Sequence, residues 1–214
     1  GMKDLKLAIF DMDGLMLDTE DIYISLALQI AKDKNYPLTK ELILKTIGLN
    51  SVSSKQVLID ALGHDFPIEE YRLLLRKRYI YKITHEEVKK KDGLMDILDY
   101  FDNRNVIKAV ATSTSRYKAE ILLKTTGLWD RFNYVVCGDD IERGKPEPDI
   151  YLKVCEDLKI STKDAVVFED SLNGLKSAYS AGIKCIVIPD RVAIPDEFKK
   201  LAYRIYNSLS DVVI

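Results

Sequence analysis

Apolar positions follow two different rhythms along this chain. Residues 5–11 (LKLAIFD) make a short apolar run that ends in an acid and is followed by Gly14, the pattern of a buried strand opening into a loop. From about Glu20 to Glu87 no strand pattern occurs. Apolar residues there recur at helical spacing over 21–34, 39–46, 52–62 and 68–82, divided by Pro37, Gly48 and the Gly63–Pro67 stretch. Asp92-Gly93 marks a return to the first rhythm. Strand-like runs at 106–112, 133–137, 165–169 and 184–188 then alternate with helical patterns at 93–103, 115–124, 147–158 and 171–181.

Alternation of this kind predicts right-handed βαβ crossovers and a parallel sheet covered by helices on both faces. The expected fold is α/β: a doubly wound, Rossmann-like core with an inserted four-helix cap. Residues 1–17 and 90–214 form the expected core and 18–89 the cap, joined by linkers near 15–19 and 86–92. Gly127 and Gly182 follow two of the core helices, where left-handed C-caps would sit.

Composition narrows the function classes. The 214 residues are 47% apolar and 31% charged, an ordinary globular balance. A net charge of −2 provides no broad electropositive field, so neither nucleic acid nor an anionic membrane is the expected partner. No apolar run reaches the ~18 residues that cross a bilayer. The amino terminus has no apolar signal core, and Gly1 before Met2 reads as an expression-tag remnant. Cys137, Cys155 and Cys185 are odd in number and widely spaced, which fits a reducing cytoplasm better than a disulfide framework or a zinc site. Nothing marks an interface, so a monomer is expected. The basic run Arg72–Lys82 is read as a solvated helix face.

Doubly wound sheets bind ligands beyond the carboxyl ends of their strands. In this chain those ends carry Asp11 and Asp13, then Thr112, Ser113 and Thr114, then Glu169 and Asp170, with Lys145 a short way after the third strand in GKPEPD. Clustered carboxylates repel one another unless a cation neutralises them, and a hard divalent ion such as Mg²⁺ prefers oxygen ligands. Lys145, the Thr112 hydroxyl and nearby backbone N–H groups could hold a phosphate. Taken singly, each element has a plain structural role: acids at a strand end, a helix N-cap, an exposed loop lysine. Their joint occurrence, in order and each at a strand end, points to a metal and a phosphate in one crevice.

Phe10–Gly14 (FDMDG) with Asp18-Thr19-Glu20, Thr112, Lys145 in GKPEPD and Glu169-Asp170 in FEDSLNG resemble, in order, the motifs of the haloacid dehalogenase-like superfamily. The resemblance runs from Leu7 to about Pro189. The helical insert is similar to the first-type cap of the β-phosphoglucomutase-like and sugar-phosphate phosphatase branch. This resemblance implies that Asp11 is a nucleophile forming an aspartyl-phosphate and that Asp13 is the general acid–base. It implies Mg²⁺ held by Asp11, the Asp13 carbonyl and Asp170, with Glu169 acting through water or orienting Asp170. Thr112, Ser113 and Lys145 would bind the phosphoryl oxygens. Asp18-Thr19-Glu20 resembles the mobile flap, but a structural reading is favoured: Asp18 as N-cap of the first cap helix, with Glu20 and Asp21 complementing its dipole.

An acid at position 13 favours phosphate ester chemistry over dehalogenation within the superfamily. β-Phosphoglucomutases carry a histidine and an arginine where Tyr23 and Ser51 align, so hydrolysis is expected rather than phosphoryl transfer back to sugar. Tyr23 and Ser51 are the candidate substrate-binding residues of the cap, and a small phosphorylated metabolite is the expected ligand. A receiver-like signalling module shares the residue types, but its phospho-accepting aspartate follows a later strand and it carries no helical insert.

Overall fold

The computed structural model describes residues 2–214; Gly1, read above as a tag remnant, lies outside them. Six parallel strands form one sheet in the order β3-β2-β1-β4-β5-β6: β1 Leu7–Phe10, β2 Ile107–Ala111, β3 Tyr134–Val136, β4 Ala165–Glu169, β5 Lys184–Val187 and β6 Arg204–Ile205. The chain winds outward from β1 to one edge through β2 and β3, then crosses back to β4. The point of reversal therefore lies beside β1, where a doubly wound sheet opens its ligand crevice.

All four residues of β1 are fully buried, and they alternate between two cores. Ala8 and Phe10 join one cluster with α5 (Leu94–Asn103) and α6 (Arg116–Thr125), while Leu7 and Ile9 join the other with α7 (Asp149–Leu158) and α8 (Leu172–Ser180). Phe10 and Phe168 stack at 4.8 Å, and Phe101 meets both edge-on. Burial on both faces explains why these strands read as continuous apolar runs rather than alternating ones.

Between β1 and α5 the chain forms α1 (Glu20–Lys34), α2 (Lys40–Thr46), α3 (Ser51–Leu62) and α4 (Ile68–His85). These helices bury a cluster of their own, built on Ala27, Ile30, Leu58, Tyr71 and Leu75. Thr39 and Asn50 cap α2 and α3 through side-chain oxygens on the Leu42 and Ser53 N–H groups. The two linkers run side by side: Leu17 pairs antiparallel with Lys90, and Asp18 N–H donates to Lys89 O at 2.9 Å.

The short elements and one helix cap differ from the sequence expectation. The short edge strand β6 and the 3₁₀ turn Asp196–Leu201 were not foreseen. Both residues of β6 are exposed, so no buried periodicity announces it. The expected N-cap, Asp18, is not the cap either. Thr19 occupies that position and makes no capping bond, because its hydroxyl is engaged in the site described next. Cys137, Cys155 and Cys185 are buried free thiols. Among the described residues no helix is long and apolar enough to cross a membrane.

Candidate active site

The loop after β1 turns sharply at Gly14, whose φ of +83° is in the left-handed region. A Cβ there would fall 2.2 Å from Asp170 Oδ2 and 2.4 Å from Glu20 Oε1, so glycine is required for both acids to approach the loop. The turn leaves Asp11 in line with β1 and sends Asp13 toward the loop after β2.

Asp11 and Asp13 sit in contrasting surroundings. Asp11 is buried and accepts from Lys145 Nζ at 2.9 Å. The same ammonium donates to Ala111 O at 3.1 Å and to Glu169 Oε2 at 2.6 Å. Asp13 meets neutral hydroxyls instead: Thr19 Oγ1 donates to Oδ1 at 2.6 Å, Thr114 Oγ1 to Oδ2 at 2.7 Å, and Thr112 Oγ1 more distantly at 3.4 Å. Thr112 Oγ1 also accepts from the Thr114 N–H at 3.1 Å. Ser113 is half-buried beside them, with its carbonyl against Gly138.

Glu169 is fully buried and has both oxygens committed. Oε2 accepts from Lys145 and from the Tyr151 hydroxyl, and Oε1 accepts from the Asp170 N–H at 3.2 Å. Its carboxylate fills the space a side chain at position 174 would need, since a Cβ on Gly174 would lie 1.9–2.2 Å from it. Lys145 is held strongly protonated: burial works against its charge, but Asp11 and Glu169 outweigh burial.

Oxygens of Asp11, Glu169 and Asp170 all lie within 4.8 Å of one another. Crowding and burial make ionisation costly. Burial, then the Glu169 charge, pushes Asp11 up to about 6 despite Lys145. Asp170 is raised well above the usual carboxylate range by burial and by Asp11 and Glu169. A divalent cation among these oxygens would remove that repulsion, and three buried carboxylates suit a hard ion. The residues present therefore fit Mg²⁺.

Glu20 is the main departure from expectation in this region. It was read as a partner of the helix dipole, yet it is buried, faces Asp170, and has its pKa pushed up to about 7 by burial and then by neighbouring acids. Arg191 offsets it, with Nε 3.4 Å from Glu20 Oε2, and also pairs with the exposed Asp21 in the same first turn. Tyr151 is outside the candidate set, while Thr114, named there at a strand end, and Thr19, named in the first motif, carry no expected contact with Asp13. The pairing of Thr19 with Glu20 right after the FDMDG turn was the one available signal.

The cap candidates fall in different positions. Tyr23 is half-buried against the cap cluster that contains Tyr71. Ser51 is exposed at the start of α3. Its neighbour Asn50 is the residue that reaches the core: a Cβ on Gly144 would lie 2.4 Å from Asn50 Nδ2, so the cap rests on the loop that carries Lys145. A cavity of about 390 Å³ lies outside this region, between α1 and α4, lined by Leu26, Arg78 and Tyr81, and holds none of the candidate residues.

Strand-end acids around a lysine, set at the reversal of a doubly wound sheet beneath a helical insert, define the class. Residues 8–188 match the family described as haloacid dehalogenase-like hydrolase, and the chain belongs to that family. It is 32% identical over 182 residues to a phosphorylated carbohydrates phosphatase of Thermotoga maritima, covering 85% of this chain and 84% of the relative. It is 31% identical over 213 residues to a probable pseudouridine-5'-phosphatase of Drosophila melanogaster, covering 95% and 89%. Among solved structures, CbbY from Rhodobacter sphaeroides in complex with phosphate superposes with a TM-score of 0.83 at 26% identity, covering 97% of this chain and 96% of that one.

Proposed function

We propose that this protein is a Mg²⁺-dependent phosphomonoesterase, acting on a small phosphorylated metabolite of the sugar phosphate kind through an aspartyl-phosphate on Asp11. The observation that carries this reading is the contrast between two carboxylates two residues apart. Asp11 is paired with an ammonium group, while Asp13 is held by neutral hydroxyls. Environments that separate two acids suit them to separate roles. The phosphatase and CbbY relatives support the choice of substrate class.

Asp11 attacks phosphorus through one carboxylate oxygen, and the bond from phosphorus to the ester oxygen breaks. Asp13, fixed by Thr19 and Thr114, gives its proton to the leaving oxygen. Asp13 then takes a proton from the water that attacks the aspartyl-phosphate, which frees inorganic phosphate and restores Asp11. General acid–base help of this kind is worth roughly 10²–10⁴-fold. Lys145, Thr112 and the Ser113 N–H receive the phosphoryl oxygens.

Asp11, Asp170 and the Asp13 carbonyl would hold Mg²⁺, which when bound supplies positive charge against the phosphoryl oxygens. Glu169, saturated by Lys145, Tyr151 and the Asp170 N–H, positions its neighbours. Residues 18–89 act as a cap, with 15–19 and 86–92 as hinges, and exclude water during the first step. Tyr23 and the Asn50-Ser51 turn are the cap's candidate substrate contacts. The enzyme is expected to work as a cytoplasmic monomer.

The test is phosphate release from a panel of phosphomonoesters with Mg²⁺ and with EDTA, for the wild type and Asp11→Asn. Metal-dependent release by the wild type alone upholds the reading. Conversion of glucose 1-phosphate to glucose 6-phosphate without net phosphate release would replace it with a mutase.

A further inference from the structure

Lys145 receives phosphoryl oxygens in the proposed reaction, yet its own hydrogen bonds are already complete. An ammonium group has three N–H donors. Here they go to Asp11 Oδ1 at 2.9 Å, Ala111 O at 3.1 Å and Glu169 Oε2 at 2.6 Å. A phosphoryl oxygen gains an N–H only if one of these acceptors gives it up. All three belong to buried residues, so the acceptor that is released needs another donor.

The three are not equivalent. Lys145 is the only cation paired with Asp11, and Ala111 O is a main-chain acceptor fixed at the end of β2. Glu169 Oε2 has a second donor on the same atom, the Tyr151 hydroxyl, while Oε1 keeps the Asp170 N–H. Tyr151 is fully buried in the first turn of α7, within the apolar cluster that also holds Leu7 and Ile9. Its ring centre lies 5.1 Å from Lys145 Nζ, near enough for a cation–π contact. One side chain thus touches both members of the buried pair, the carboxylate through its hydroxyl and the ammonium through its ring.

We propose that Tyr151 is a positioning residue that frees Lys145 for the phosphoryl group. When one lysine N–H leaves Glu169 Oε2 for a phosphoryl oxygen, the phenol keeps that oxygen satisfied and the ring stays beside the ammonium. The inference rests on the phosphatase reading for a phosphoryl group next to Lys145, and its test reads binding rather than turnover. Inorganic phosphate is titrated by calorimetry, with Mg²⁺ present, into the wild type, Tyr151→Phe, Glu169→Gln and the double variant.

Tyr151→Phe keeps the ring but leaves the lysine as the sole partner of Oε2, so phosphate is expected to bind at least ~10-fold more weakly. Glu169→Gln removes the charge that holds the lysine. It should bind phosphate no more weakly than wild type, and the added Tyr151→Phe should then change little. Tyr134→Phe, which removes a hydrogen bond to Asp157 outside the site, should match wild type. In hydrolysis, kcat/KM of Tyr151→Phe should fall with the loss carried by KM, while its Mg²⁺ requirement stays as in wild type. Equal phosphate affinity in wild type and Tyr151→Phe, or the same loss in both backgrounds, overturns the exchange. Weaker binding by Glu169→Gln alone does so even if Tyr151→Phe fails to fold. A wild type that binds phosphate but hydrolyses no ester sinks the phosphatase reading, and the binding data still decide on Tyr151.

Discussion

Lys145 and Glu169 form a buried ion pair, with Nζ 2.6 Å from Oε2, at the back of the candidate site. The lysine also donates to Asp11, so one ammonium group bridges two acids. Removing one member of such a buried pair leaves the other uncompensated, typically at a cost of ~3–5 kcal/mol. Lys145→Met is therefore expected to lower Tm as well as to abolish turnover. A melt unchanged from wild type would mean that the two carboxylates do not depend on the lysine.

The saturated hydrogen bonding of Glu169 separates its role from that of Asp170. Asp170→Asn should raise the Mg²⁺ concentration for half-maximal activity by at least ~10-fold, as loss of a ligand does. Glu169→Gln should mainly lower kcat. Metal titrations of both variants decide the matter, and a larger shift in Glu169→Gln would make Glu169 the direct ligand.

Thr114 is expected to matter through Asp13. Thr114→Val keeps the shape but removes the 2.7 Å hydrogen bond to Oδ2, one of the contacts that aim this carboxyl. A loss of about 10-fold in kcat, with KM little changed, is the expected outcome, because the bond positions a group used in the transition state. An unchanged kcat would remove Thr114 from the positioning of Asp13.

Gly174 lies inside α8, where replacing glycine by alanine ordinarily favours a helix by about 1 kcal/mol. Here the new Cβ would enter the Glu169 carboxylate. Gly174→Ala is expected to lower both Tm and activity, against the propensity rule. A more stable, fully active variant would show that Glu169 can move without consequence.

The raised acids have a signed consequence for metal binding. Asp11 and Glu20, pushed up to about 6 and about 7, hold protons more tightly folded than unfolded. In metal-free protein they favour the native state at low pH, and that contribution is lost as pH rises through this window. Mg²⁺ requires the ionised ligands, so its stabilising effect should grow as pH rises from about 5.5 to about 7.5. Melting curves with Mg²⁺ and with EDTA at both pH values measure the increment. A larger increment at the lower pH would contradict a site built on these carboxylates.

Much of this protein was legible along the chain. Fully buried parallel strands such as LAIF and AVVFE have to be continuous apolar runs, and the helices between them keep a 3.6-residue stripe. Motifs at strand ends followed from the topology, because strands of a parallel sheet bring their carboxyl ends to one edge. Asp11, Asp13, Thr112, Lys145 and Asp170 are thus gathered into one crevice by sequence order and strand topology alone.

What lay beyond reach depended on contacts between distant segments. Thr114 reaches Asp13 across 101 positions and Lys145 reaches Asp11 across 134. Glu20 looked like any acid in a first helical turn until the Gly14 turn folded it against Asp170. Arg76 and Arg78 are alike in sequence, but one faces Tyr117 and the other Asp33, according to how α4 is rotated against the core. Local periodicity decides which residues are buried in an element. Which buried or polar groups then meet is decided by packing between elements, where a rotation of one helix changes every partner.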